Sequence, residues 1–205
     1  MRLLCDYGEI EIIRTVSEIT IEMSEGEILE IIATGNPKIS QENYYDILHK
    51  KTAVFVEGCC KCGAMVAGAS HEQTESLAEY GRRLGLAFQI ADDLLDYTGD
   101  PLITGKPLAS DLKDGRATLP FLLAMESAKQ DEREVLLAAF GNAQISNDTV
   151  LNVVKIMECY GVFDTTRAVA REHVELAEKA LLKLPPSIAR ECFAALTDYV
   201  VQRDR

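Results

Sequence analysis

Phe88-Gln89-Ile90-Ala91-Asp92-Asp93-Leu94-Leu95-Asp96 sets three carboxylates within five residues of an otherwise apolar segment. On a helix, residues three and four apart share a face. Asp92 and Asp96 are therefore expected to point the same way, with Gln89 one turn earlier. Asp93 is rotated from Asp92 by about 100°. Three ionised carboxylates this close repel one another unless a cation compensates. Hard oxygen donors that leave room for water suit Mg²⁺. The plainer alternative is a solvated acidic face closing a helix. Two details count against it. The cluster follows Gly85-Leu86-Ala87-Phe88, which is too apolar for a surface ridge. It also precedes the helix stop Tyr97-Thr98-Gly99-Asp100-Pro101, in the last turns, where the helix dipole disfavours anions.

Outward from this stretch, Gln73 to Asp96 reads as a central helix carrying Leu77, Tyr80, Leu84 and Phe88. Gly81 and Gly85, four apart, give it one smooth face for helix packing. Every other long segment also repeats with the helical period. Ile12, Val16, Ile19 and Met23 mark a first helix that continues through Ile28 and Ile32 and stops near Gly35-Asn36-Pro37. Ser40-x-x-Asn43 starts a second, with Tyr44, Ile47, Leu48 and Lys51 on successive turns, running on as Phe55 to Val66. Gly58, Gly63 and Gly68 in and after it are expected to admit close neighbours. Gly99 to Gly115 reads as loop. Ala117 to Ala128 and Asp131 to Phe140 read as shorter helices. Asp148 and Asp164 are expected to cap two more, bearing Val150, Val153, Val154 and Met157, then Ala170, Val174, Ala177, Leu181 and Leu184. Pro185-Pro186 breaks the second of these, and Pro186 or Ser187 opens a last helix with Ile188, Cys192, Leu196 and Tyr199 as buried candidates. No segment alternates with period 2. The expectation is an all-α chain, 1–205 as a single domain, without repeats or low-complexity linkers.

Composition narrows the function classes. The 205 residues are 47% hydrophobic and 26% charged, an ordinary globular balance. No apolar run approaches a membrane span of ~18 residues, and Met1 to Asp6 lacks the apolar core of a signal peptide. A cytoplasmic protein is expected. The net charge of −12, from 21 basic and 33 acidic residues, argues against nucleic acid as a partner. Cys59-Cys60-x-Cys62 suggests soft-metal binding at first sight, but no second half of matching spacing exists. Cys59, Cys60 and Cys62 are read instead as buried small residues in a tightly packed helix.

Phe88-Gln89-x-x-Asp92-Asp93-x-x-Asp96 resembles the second aspartate-rich motif of the trans-isoprenyl diphosphate synthases, the polyprenyl synthetase family. Thr104-Gly105-Lys106, then Asp111-Leu112-x-x-Gly115-Arg116-x-Thr118-Leu119-Pro120, resembles the segment that follows that motif. Lys51-Thr52-Ala53 resembles the upstream Lys-Thr pair. The motifs stand in the family's order. The chain departs from it at Arg116, where Lys is frequent, and at Ala109, where Gly is frequent.

The resemblance implies an isoprenoid synthase-type helical bundle and a transferase of isoprenoid biosynthesis. Such an enzyme condenses isopentenyl diphosphate with an allylic diphosphate, using Mg²⁺, to give a longer trans-polyprenyl diphosphate. It implies Asp92, Asp93 and Asp96 as the metal-binding set, with Asp93 also able to orient water or a lysine. Lys51 and Lys106 would neutralise the diphosphate, Thr52 would sit near the reacting carbons, and the Gln89 amide oxygen would face the developing cation. Lys51, Thr52 and Gln89 are thus the expected catalytic set. Only the C-terminal part of the family's fold is matched. The N-terminal helices, with their first aspartate motif, Arg-Arg pair and isopentenyl diphosphate-binding residues, are not found in this sequence. A homodimer, or a partner chain supplying the remainder, is expected, with exposed apolar surface where those helices would pack. The alternative is a non-catalytic, prenyltransferase-like interaction or regulatory subunit.

Overall fold

The computed structural model describes residues 2–100, 105 and 107–202. The described residues are helical and contain no strand, as the periodicity required. α1 (Arg2–Tyr7) leads into the long α2 (Ile10–Ala33). Ser40 then caps α3 (Gln41–Leu48) by accepting the Asn43 N–H. α3 does not pass directly into α4 (Val54–Val66). A π-helical turn, His49–Ala53, lies between them. An extra residue in the helical repeat re-aims the side chains that follow, and such turns concentrate at functional sites. Here the turn carries Lys50, Lys51 and Thr52.

α5 (His71–Thr98) is the axis of the molecule. Its start is fixed by a capping box. Ser70 Oγ accepts the Gln73 N–H, and the Gln73 side chain accepts the Ser70 N–H. α5 packs most extensively against α4 and α10 (Val162–Leu181). The contact with α4 and the end of the π-helical turn uses the smooth face expected from Gly81 and Gly85. A Cβ on Gly85 would lie 2.6 Å from Ala53 Cα, and one on Gly81 2.7 Å from the Val56 carbonyl oxygen. The two backbones are therefore closer than any side chain permits.

The loop after α5 holds a short helix, α6 (Ser110–Asp114), where the sequence suggested loop alone. α7 (Leu119–Ser127), α8 (Gln130–Ala139), α9 (Asn147–Cys159) and α10 follow. The main core gathers Ile90 and Tyr97 of α5 with Leu112, Leu119, Phe121, Leu136, Val153, Met157 and Val162. Each large apolar side chain buried there contributes about 1.5–3 kcal/mol.

Several local expectations are corrected. Ser146, not Asp148, caps α9, and Gly161, in a left-handed conformation, precedes α10 in place of Asp164. In α11 (Ile188–Gln202), Ile188, Cys192, Leu196 and Tyr199 face outward. The buried face carries Thr197 and Val200, with Phe193 and Ala194 packed on Tyr80, Ala177 and Leu181. One face of this helix is as apolar as the other, so periodicity alone does not choose between them. Cys59 is exposed and Cys60 and Cys62 are half-buried. Of the three glycines, Gly58 meets Ile19, whereas Gly63 and Gly68 face open space. His173 is half-buried against the Tyr45 ring, and burial lowers its pKa. No described helix is long and apolar enough to cross a membrane.

Candidate active site beside the aspartate motif

A cleft of about 210 Å³ opens where α2, α3, the π-helical turn, α5 and α6 converge. Its polar lining includes Glu30, Lys51, Gln89, Asp92, Asp93, Asp111 and Arg116, with Thr34, Tyr44 and Thr118. Thus Lys51 of the Lys-Thr pair shares one cavity with Gln89, Asp92 and Asp93 of the aspartate motif. Thr52 joins them through a hydrogen bond. Its Oγ1 donates to Gln89 Oε1 at 3.1 Å. Gln89 Nε2 donates in turn to Asp93 Oδ1 at 3.3 Å. Both ends of the amide are therefore occupied, and the carbonyl oxygen faces the π-helical turn.

The three aspartates of the motif occupy three different environments. Asp92 is exposed on the cleft wall. Asp93 is buried and accepts a 2.7 Å hydrogen bond from Tyr44 Oη of α3. Burial pushes its pKa up to about 8, with Asp111 and Asp92 adding to the rise. The donors Tyr44 and Gln89 oppose it without cancelling it. Asp96 turns away from the cleft lining. Its two carboxylate oxygens accept the backbone N–H groups of Ser110 and Asp111, each at 3.0 Å. Its own backbone carbonyl accepts the Ala109 N–H at 2.8 Å. Asp96 thereby anchors the first turn of α6. Burial and Asp111 raise its pKa to about 6 against those hydrogen bonds.

Asp92 and Asp96 share a helical face, yet they serve different neighbours, because a side chain four residues on reaches the returning loop. Among the described residues no three His, Cys, Asp or Glu side chains converge as a metal-holding group. The expected ligand set of Asp92, Asp93 and Asp96 is thus not drawn together on one point in this structure.

Asp111 enters the cleft because Asp96 holds its backbone. Its pKa is raised by burial and opposed by Arg116, whose Nε donates to Asp111 Oδ1 at 2.9 Å. Arg116 also meets Asp114 at 2.7 Å. The loop conformation explains why glycine is frequent in the family at Ala109, where this chain departs from the pattern at a cost in strain. Ala109 has φ 55° and ψ 42°, the left-handed region, where a Cβ costs roughly 1–2 kcal/mol and glycine costs little. The expected diphosphate lysine, Lys106, lies outside the described residues.

Two groups were not anticipated as site residues. Glu30 of α2 lines the cleft and accepts two hydrogen bonds from Lys51 Nζ, at 2.8 and 2.7 Å. The other is Tyr44, which the periodicity places only on the helical turns shared with Ile47 and Leu48. Glu30 lies one turn after Gly26, where a Cβ would come within 2.6 Å of the Lys51 backbone nitrogen. The pairing of a small residue with a carboxylate one turn on is the local signal that could have identified it.

For the cation that the motif implies, the fit rests on donor chemistry. Mg²⁺ keeps several waters and takes one or two carboxylates plus substrate oxygens. The exposed Asp92, with Asp111 and Asp93 beside it, supplies hard oxygens of that kind.

Comparison with known proteins agrees with this reading of fold and motifs. The polyprenyl synthetase family model matches residues 1–157. The chain is 34% identical to octaprenyl diphosphate synthase of Escherichia coli over 206 residues, covering 100% of this chain and 63% of that protein. It is 34% identical to a short chain isoprenyl diphosphate synthase of Methanothermobacter thermautotrophicus over 194 residues, covering 95% and 59%. Among solved structures, a polyprenyl synthase from Caulobacter crescentus, complexed with calcium and isoprenyl diphosphate, superposes with a TM-score of 0.93 at 30% identity, over 100% of this chain and 62% of that one. A decaprenyl diphosphate synthase from Rhodobacter capsulatus gives 0.91, also at 30% identity, over 100% and 63%. The chain therefore spans less than two thirds of the length of these relatives. The cleft, its motifs in order and these similarities lead to one conclusion: the chain belongs to the polyprenyl synthetase family.

Proposed function

We propose that the chain provides the diphosphate-and-metal side of a trans-prenyltransferase site, with isopentenyl diphosphate and an allylic diphosphate as substrates and a longer trans-polyprenyl diphosphate as product. The observation that carries this reading is the convergence of Lys51 of the π-helical turn with Gln89, Asp92 and Asp93 of α5 on one cleft. In the reaction, the allylic C–O bond breaks and its electron pair leaves with diphosphate. The isopentenyl double bond attacks the allylic carbon, and a proton is then lost.

Lys51 and Arg116 offer the leaving group positive charge. Lys106 is assigned the same role by the motif. Mg²⁺, held by Asp92 with Asp111 and Asp93 beside it, would supply further positive charge to the diphosphate. The Gln89–Thr52 pair presents oriented oxygen dipoles toward the carbon end, while Tyr44 and Asp93 fix the amide from behind. Asp96 serves in this scheme by holding Asp111 and α6 in register. Its motif position leaves it also a candidate for the metal, which the variants below separate.

Residues 1–205 are read as one domain, the C-terminal portion of a prenyltransferase bundle. Apolar side chains exposed on α2 (Ile21, Ile28, Ile31 and Ile32) support association with a second copy or a partner chain.

The test has two parts. Intact chain is titrated with inorganic pyrophosphate in Mg²⁺ by calorimetry, and then incubated with labelled isopentenyl diphosphate and an allylic diphosphate. Mg²⁺-dependent binding that is lost in Asp92→Ala supports the reading, and an elongated product extends it to catalysis by this chain alone. Binding that survives Asp92→Ala, or that is absent from the wild type and every variant, defeats it and favours the non-catalytic subunit.

A further inference from the structure

Both described basic groups of this cleft, Lys51 and Arg116, already have carboxylate partners. Arg116 is bonded to Asp111 and Asp114. Lys51 donates to both oxygens of Glu30, at 2.8 and 2.7 Å, which uses two of the three N–H bonds of its ammonium. The pair is only partly open to solvent, with side-chain exposures of 30% and 23%, so water screens it less than it would a surface pair. The contact is built into the backbone. Gly26 lets α2 touch the peptide between Lys50 and Lys51, and Glu30, one turn further along α2, is delivered beside Lys51 Nζ. Among the described residues, four carboxyl groups line the cleft (Glu30, Asp92, Asp93 and Asp111) against two basic side chains. An entering diphosphate therefore finds Lys51 already held by an anion of like charge to itself.

We propose that Glu30 is an affinity- and specificity-determining residue of the diphosphate subsite, a counter-ion that competes with the diphosphate for Lys51. This rests on the reading of the cleft given above and adds a residue that the motifs do not contain. Binding requires Lys51 to leave Glu30 or to share its remaining N–H. In either case the Glu30 carboxylate stays nearby as a repulsive charge, so the site favours diphosphates that arrive with divalent cation over free anions.

The substitution Glu30→Gln removes the charge while keeping the shape, the helix propensity and one acceptor oxygen for Lys51. Inorganic pyrophosphate is titrated into intact wild type, Glu30→Gln, Glu30→Ala and the double variant Glu30→Gln/Lys51→Met, at fixed Mg²⁺, with circular dichroism recorded for each. Glu30→Gln is expected to bind on the order of tenfold more tightly than wild type, a gain of about 1.4 kcal/mol. The gain should vanish in the double variant. Glu30→Ala must shift affinity in the same direction, which keeps the test valid if the Gln variant folds poorly. Wild-type binding that Glu30→Gln and Glu30→Ala leave unchanged or weaken overturns the competition but leaves the cleft's assignment standing. Pyrophosphate binding absent from all variants overturns both.

Discussion

Gly26→Ala is the sharpest test of how the fold positions this cleft. An added Cβ would sit 2.6 Å from the Lys51 backbone nitrogen, 2.8 Å from the Lys50 carbonyl carbon and 3.0 Å from Lys50 Cβ. Ordinary contact begins near 3.4 Å. α2 and the π-helical turn must therefore separate by roughly 0.8 Å, since two of the three obstacles are backbone. Overpacking of this kind costs about 1–3 kcal/mol. Alanine's better helix propensity returns up to about 1 kcal/mol. The net expectation is a loss of up to about 2 kcal/mol, or up to roughly 8 °C in Tm for a chain of this size, and a deficit of about 1–3 kcal/mol relative to an alanine that meets no obstacle. The same displacement moves Lys51 from Glu30, so Mg²⁺-pyrophosphate affinity should change as well. Gly63→Ala is the matched control. Gly63 lies in α4 with nothing within 4 Å of an added Cβ, so this substitution should be neutral or stabilising by up to ~1 kcal/mol. Thermal unfolding by circular dichroism, with calorimetric titration of pyrophosphate, reads both quantities. A Gly26→Ala chain as stable as Gly63→Ala, with unchanged affinity, would refute the claim that this close approach holds the π-helical turn in place.

Two further outcomes follow from the divided roles of the aspartates. Asp96→Ala removes the acceptor of two backbone N–H groups at the start of α6 and should cost about 1–2 kcal/mol, the scale of a lost helix cap. Asp92→Ala, at an exposed position, should change stability by less than about 0.5 kcal/mol while abolishing metal-dependent binding. Denaturant melts of the two variants that coincide would contradict the anchoring role. The second outcome concerns pH. Asp93, facing Tyr44 of α3, Gln89 and Asp92 of α5 and Asp111 of α6, has its pKa raised from 3.8 to about 8 in the folded chain. Across that window the folded chain holds a proton that the unfolded chain releases, so metal-free stability falls as pH rises. Asp93→Asn should flatten the slope, and identical slopes between pH 5 and 8 would sink the assignment.

Much of the architecture was legible before any coordinates. The helical period, the Gly35-Asn36-Pro37 and Pro185-Pro186 stops and the Ser40 cap are local signals, and local physics fixes them. The same holds for Gly81 and Gly85, whose spacing four apart favours a smooth helical face. Where the sequence was read amiss, the cause is a choice between locally equivalent options. α11 is apolar on two sides, and only the positions of α5 and α10 decide that Thr197 and Val200 turn inward while Leu196 and Tyr199 do not. Asp148 and Asp164 are sound caps by type, but the chain enters those helices earlier, at Ser146 and Gly161.

The sequence by itself determined that three carboxylates, a Lys-Thr pair and a glutamine belong to one kind of chemistry, because spacing along a helix and motif order are properties of the chain. Only the tertiary structure decided what each carboxylate does. Asp92 stays at the cleft, Asp93 is enclosed by Tyr44, and Asp96 is drawn off by the backbone of the returning loop. Only the tertiary structure, too, set Glu30 against Lys51 across 21 residues of sequence. Such partnerships depend on how closely α2 can approach the π-helical turn. That distance is fixed by a missing side chain at Gly26 and by packing around α5, and neither is written in the periodicity of any single helix.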